Sequence, residues 1–201
     1  MAEPLKGVRD RYSDAEIAHY YEQGYWQTTS FNSLLAEQAS ARGDSDYVID
    51  RFTSLTYRQF VESALRLAVG LRRYGIDRGD RVAAQLPNWT EFPMLAAALS
   101  RIGAILVPIM PIYRDDEVAY VLQHSGAKAV VTCGEFRGFD HFAMMSRLRA
   151  ECPALASIIV TRPGPGCDHA DAPAFVDLMA TGEPEALELE AMSGTFLRSE
   201  A

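Results

Sequence analysis

The stretch "YRDDE", Tyr113 to Glu117, places three carboxylates side by side. Hard oxygen donors in such a group suit magnesium. Acidic residues in a first helical turn are also ordinary partners of the helix macrodipole, and that reading is favoured here. Cys167 and His169 stand one residue apart, unlike the usual zinc spacings. His124 and His141 fall on separate predicted helices with no second ligand nearby, so both are expected to be solvated or locally bonded. The sequence contains no Cys-x-x-Cys, no His-x-x-x-His and no Gly-x-Ser-x-Gly.

Two segments have the form of an anion site. In "LPNWTEF", Asn88 and Glu91 open a helix whose amides would face a ligand. Glu91 would repel a phosphate, however, and Pro93 removes one amide. The preferred reading is structural: Asn88 or Thr90 is the N-cap, and Glu91 lends negative charge to the first turn. In "MSGTF", Ser193, Gly194 and Thr195 have the small side chains of a phosphate loop. No further glycine or lysine follows them, so an ordinary turn is expected.

The elements that would position these residues are legible from periodicity. Ser13 and Glu16 form a capping box, with Ile17, Tyr20 and Tyr21 on one helical face before Gly24. The aromatic group Tyr20, Tyr21, Tyr25 and Trp26 is read as packing this helix onto the domain. A second helix, "SFNSLLAEQASARG", has Phe31, Leu34, Leu35 and Ala39 as its predicted buried stripe. "DYVID" and "SLTY" predict a β-hairpin around Arg51 to Thr53. Thr56 and Gln59 form a second capping box, followed by Phe60, Ala64, Leu65, Ala68 and Leu71 at helical spacing and Gly75 as a stop.

From Arg81 the pattern is regular. "RVAAQL", "AILVPI", "KAVVTC" and "ASIIVT" are apolar strands; "EFPMLAAALSRI", "DDEVAYVLQHS" and "DHFAMMSRLRAE" are the helices between them. That alternation predicts βαβ units and a mostly parallel α/β sheet with flanking helices. "AILVPI" and "ASIIV" lack alternation, as strands buried on both faces should. "RPGPGCDHADAP" predicts a loop, "AFVDLMATG" a short helix, and the remainder an acidic, weakly periodic tail. The expected organisation is a helical extension over 1–30, an α/β subdomain over 31–161 and a loop with a flexible tail over 162–201.

Composition narrows the function classes. The 201 residues carry 27 acidic and 19 basic side chains, a net charge of −8, which argues against nucleic acid as a partner. Three irregularly spaced cysteines, Cys133, Cys152 and Cys167, fit a reducing compartment. No apolar run is long enough to span a bilayer, and the charged N-terminus lacks a signal-peptide core. A soluble, cytoplasmic protein is expected.

The ordered landmarks carry a resemblance. They are Leu55-Thr56-Tyr57, Gly79-Asp80-Arg81-Val82, Pro87-Asn88, Glu91-Phe92, Gly103-Ala104, Val107-Pro108, Pro111, Glu117, Tyr120, Leu122, Ser125-Gly126-Ala127-Lys128 and Val131-Thr132. From about Phe31 to about Thr161 the chain resembles the N-terminal region of the AMP-forming acyl-CoA synthetases. That superfamily also includes luciferases and the adenylation domains of peptide synthetases. The resemblance implies a ligase in which a carboxylic acid attacks ATP to give acyl-AMP, and CoA then displaces AMP, with magnesium assisting.

The family's phosphate loop ending in lysine, its aromatic-Thr-Glu segment and its ribose-binding Asp are not found in this sequence. The expectation is therefore a truncated N-terminal portion, inactive alone, that binds none of ATP, magnesium or CoA by itself. No catalytic, cofactor-binding or metal residue is assigned. The resemblance also implies that the segment exposes apolar surface and an unpaired strand edge, because the family packs this sheet against a second one. Acids of medium-chain, cyclic or aromatic type are the expected substrates. Two alternatives stay open: a non-catalytic α/β binding module, and part of an acyl-AMP ligase or adenylation domain.

Overall fold

The four apolar runs pair as one parallel sheet in the computed structural model, which describes residues 11–164, 167, 169 and 172–181. The N-terminal elements are α1 (Asp14–Glu22), α2 (Phe31–Arg42), β1 (Asp46–Ile49), β2 (Ser54–Thr56) and α3 (Tyr57–Arg73). The repeating units follow: β3 (Arg81–Gln85), α4 (Glu91–Ile102), β4 (Ile105–Pro108), α5 (Asp115–Ser125) and β5 (Ala129–Cys133). A small hairpin, β6 (Glu135–Phe136) and β7 (Phe139–Asp140), precedes α6 (His141–Leu148), a 3-10 turn at Arg149–Glu151, β8 (Ser157–Thr161) and α7 (Phe175–Ala180).

The capping boxes form as predicted. Ser13 and Glu16 cap α1, and Thr56 and Gln59 cap α3. Antiparallel β1 and β2 make the expected hairpin, with a register shift between Asp46 and Val48. In α3 the core face differs from the predicted stripe: Leu67 is fully buried and Leu65 only half-buried. Two layers press on this helix, α4 on one side and α7 on another, so its buried face is wider than one stripe. Gly70 lets α7 approach, since a Cβ there would strike the Leu178 carbonyl oxygen.

The α2 stripe is corrected. Leu35 is buried, but Phe31 and Leu34 are 44% and 47% exposed. The helix packs mainly on α3 and α4, and only the Leu35 side reaches them. The aromatic group at the N-terminus is corrected as well. Tyr12, Tyr20 and Tyr21 pack around Trp26, with centroids 5.0 to 5.9 Å from it, and α1 itself buries no residue. These rings close on one another rather than docking the helix on the domain.

The sheet order is β4-β3-β5-β8, all parallel. β3 and β5 are buried almost throughout, whereas β4 is half-buried with Pro108 exposed, so "AILVPI" is not covered on both faces. Its position explains this: no strand lies beyond β4 among the described residues. Ile105 and Ile109 donate inward to β3, which turns the nitrogens of Leu106 and Pro108 outward. Proline fits there because its missing N–H breaks no ladder bond, and it blunts the open edge. At the other edge Val160 donates to the Pro173 carbonyl, which lays the chain before α7 alongside β8. Apolar clusters fill both faces of the sheet, one against α3 and α4, the other against α5 and α6.

Candidate functional site

In an open parallel sheet, ligands bind beyond the carboxyl ends of the strands, where the strand order reverses. Here β3 leads to β4 on one side, and the chain then crosses to β5 on the other, so the reversal lies between β3 and β5. The protein fills that point with its own side chains. Gln85, the last residue of β3, and His141, the first of α6, are both buried. Gln85 Oε1 lies 3.1 Å from His141 Nδ1, while its Nε2 donates to the carbonyls of Met110 and Tyr113 at 3.0 and 3.1 Å. Two carbonyl acceptors fix the amide orientation, so Oε1 faces the imidazole and Nδ1 carries the proton. His141 is therefore neither solvated nor locally bonded: its partner is 56 residues away.

Burial lowers the His141 pKa, the Arg114 charge lowers it further, and Asp140 opposes both. Phe139 meets the imidazole edge-on at 5.0 Å, and Phe136 lies 6.4 Å away at a tilt. Both rings belong to the β6–β7 hairpin, which the sequence reading missed. Its available signal is "FRGF": Arg137 and Gly138 have φ of 53° and 75°, the pair of left-handed residues that a two-residue hairpin turn requires.

A second polar node stands beside the first. Arg162, directly after β8, reaches Glu91 Oε1 through Nε at 2.6 Å, and its Nη2 reaches Glu91 Oε2 at 2.9 Å and Asp50 Oδ2 at 2.8 Å. The same guanidinium lies over the rings of Trp89 and Phe52. Asp50, in the β1–β2 turn, accepts from the Thr90, Phe52 and Thr53 amides as well. Burial pushes its carboxyl up, but these three amides and Arg162 outweigh it and bring the pKa to about 2.

Of the two N-cap candidates for α4, Thr90 holds the position, without a side-chain cap bond, and Asn88 is exposed. The first orphan amide is taken by Asp50, forty residues upstream. Local sequence rules could not find it, because the capping carboxylate comes from another element. Glu91 does belong to the first turn as expected, yet its charge is matched by Arg162 rather than left to the macrodipole alone.

The remaining candidates are dispersed. Asp115 pairs with Arg147 at 2.9 Å, and Glu117 accepts from the Arg114 amide at the start of α5. His124 stacks on Tyr120. His169 contacts the Ala172 carbonyl at 3.3 Å. Ser193, Gly194 and Thr195 lie outside the described residues. No group of His, Cys, Asp and Glu that could hold a metal occurs among the described residues. The carboxylates at the sheet edge are already held by Arg162 and backbone amides, so they do not fit a magnesium ion and no chemical step is assigned to them. A cavity of about 20 Å³ between α2, α3 and α4, lined in part by Leu35, Ala64 and Arg101, has room for one water molecule.

Several landmarks of the sequence lie at the opposite, amino end of the sheet. Lys128 donates to Asp80 Oδ2 at 2.6 Å and to the Gly75 carbonyl at 2.7 Å. Asp80 Oδ2 also accepts from the Asp77 amide. Gly103 and Gly126 end α4 and α5 in the left-handed conformation, and the Ile105 and Lys128 amides then bond the backbone next to β3. These residues set where each strand begins, which is a scaffold role.

Comparisons with known proteins show what the chain resembles. Residues 35–186 match the family described as AMP-binding enzyme. A salicylyl-CoA synthase / salicylate adenylyltransferase from Streptomyces sp is 34% identical over 82% of this chain and 29% of its own. The 2,3-dihydroxybenzoate-AMP ligase of Bacillus subtilis is 34% identical over 78% of this chain and 29% of its own. The apo structure of Mycobacterium smegmatis MbtA superposes with a TM-score of 0.71 at 29% identity, covering 90% of this chain and 32% of that one. The chain thus spans about 29% of the length of the curated relatives it matches.

Proposed function

The chain belongs to the AMP-binding enzyme family, and from that membership we propose that residues 31–161 form the N-terminal scaffold of an AMP-forming acid–thiol ligase. In the proposed reaction a carboxylic acid attacks ATP to give acyl-AMP and pyrophosphate, and a thiol, CoA, then displaces AMP. The carrying observation is the placement of the landmarks. Asp80, Gly103, Gly126 and Lys128 secure strand starts, while the ligand-binding edge of the sheet is closed by Gln85, His141 and the Asp50–Arg162–Glu91 node. In that arrangement the polar side chains bond one another, which supports a scaffold role for this region.

A second reading is that the acyl-AMP passes to an acceptor other than CoA. It is favoured by the B. subtilis relative, whose name ends the reaction at the AMP ligase stage. Both readings share the first half-reaction and an aryl or related acid as substrate, as the names of these relatives suggest.

A chimera tests the scaffold role. Residues 31–161 would replace the matching segment of the B. subtilis ligase. Acid-dependent ATP–pyrophosphate exchange should persist with that enzyme's own preference for 2,3-dihydroxybenzoate. A folded chimera whose acid preference moved with the transplanted segment would contradict the proposal.

A further inference from the structure

We propose that Gln85 and His141 form a latch that holds the Met110–Tyr113 loop on the sheet only while the imidazole is neutral. The latch is a property of this sheet edge and stands whether or not the ligase reading does. One buried amide donates two hydrogen bonds from the sheet to the loop, at the Met110 and Tyr113 carbonyls, and its oxygen is held in turn by His141; within the loop the Arg114 guanidinium also donates to the Pro111 and Tyr113 carbonyls. The loop presents Met110 and Ile112 outward, 58% and 70% exposed, so its side chains add little to its anchorage. Its position therefore depends on the Gln85 amide keeping one orientation.

The second imidazole nitrogen makes the latch sensitive to protonation. His141 Nε2 is buried and has no hydrogen-bond partner among the described residues. In the neutral ring it is an acceptor without a donor. On protonation it becomes a buried N–H without an acceptor, and the ring gains a charge in an apolar setting.

The surrounding groups offset that charge only in part. The Arg114 guanidinium lies over Phe139, which itself packs on the imidazole, and adds like charge. Asp140 is of opposite sign, but its Oδ1 is engaged as the cap of α6 through the Ala143 amide. From β5 the nearby titratable group is Cys133, whose thiol burial pushes up to about 12, so it stays uncharged. β8 brings no charged residue within Ser157–Thr161. Asp115 of α5 is paired with Arg147, and Arg149 of the 3-10 turn donates to the Ala156 carbonyl. Glu135 and Arg137 of the β6–β7 hairpin are exposed.

The route of release is that hairpin. Its ladder has only the pairs Glu135–Asp140 and Phe136–Phe139, and so short a ladder opens at low cost. When it lifts, the imidazolium reaches water, Gln85 loses the partner that fixed its amide, and the Met110 and Tyr113 carbonyls lose their bonds to the sheet.

Hydrogen exchange, expressed as protection factors, reads this directly as the pH is lowered from about 7 to about 4. The Tyr113 and His141 amides, bonded to the Met110 and Gly134 carbonyls, should lose about tenfold or more of their protection in one transition below the usual histidine range. Ile159, central in β8, should keep its protection. His141→Asn retains a donor toward Gln85 but does not titrate, and should abolish the transition. Constant protection of Tyr113 and His141 in the wild type, or the same loss in His141→Asn, would overturn the latch. The nitrogen shifts of the wild-type imidazole decide independently of any variant: a neutral Nδ1–H ring near pH 7 supports the latch, and an Nε2–H ring overturns it.

Discussion

Arg162 Nη2 stands 2.8 Å from Asp50 Oδ2 across 112 residues of sequence, and this contact ties the β1–β2 hairpin to the end of the parallel sheet. The hairpin is a separate two-stranded sheet with no ladder to β3, β4, β5 or β8. Asp50 compensates by bonding its own turn, the first amide of α4 and the guanidinium together. One carboxylate thus fixes three elements at the edge where ligands of such sheets usually lie.

Removing Arg162 should be costly. Its partners Asp50 and Glu91 have side chains only 5% and 14% exposed, so Arg162→Met leaves two close carboxylates without a counter-charge. A loss of about 3 kcal/mol is expected, at the low end for a broken buried pair because the arginine keeps some solvent contact. Urea denaturation measures it. Adding Asp50→Asn and Glu91→Gln to Arg162→Met should restore part of the loss; no restoration would mean that charge is not the cause.

The same node gives an acid dependence. The Asp50 pKa falls from 3.8 to about 2 on folding, so the unfolded chain binds the proton first as pH drops. The stabilisation is complete above about pH 4 and fades as the pH falls toward 2, by about 2 kcal/mol in all. The difference between wild-type and Asp50→Asn stability curves isolates this group from other carboxylates. It should shrink through that interval; a constant difference would contradict the assignment.

Two glycines separate close packing from backbone freedom. At Gly70 a Cβ would collide with the Leu178 carbonyl oxygen, whereas at Gly75 it would meet open space but at φ of 91°. Gly70→Ala should cost about 2–3 kcal/mol by pushing α7 off α3. Gly75→Ala should cost about 1 kcal/mol, the strain of a left-handed alanine. Thermal unfolding of the two variants compares them, and equal losses would mean that α7 yields easily.

The regular elements were legible because each carries its own local signal. "EFPMLAAALSRI" and "DDEVAYVLQHS" coincide with α4 and α5, bounded by Gly103 and Gly126 in the left-handed conformation. What failed depends on distance. Asp50 capping α4, Gln85 holding His141, and Arg162 between two carboxylates join residues 40 to 112 positions apart, and no periodicity encodes such pairs. The stripe on α2 failed for a related reason: Phe31 and Leu34 have the spacing of a buried face but no described element covers them. At the sheet edge, the polar side chains that close it were not legible.

The central claim is that this region supports a ligase without performing its chemistry, and ATP–pyrophosphate exchange with the purified 201-residue chain tests it most directly. With a panel of aryl, cyclic and medium-chain acids, the account predicts no exchange above the acid-free background. Saturable exchange that depends on one of those acids would contradict it.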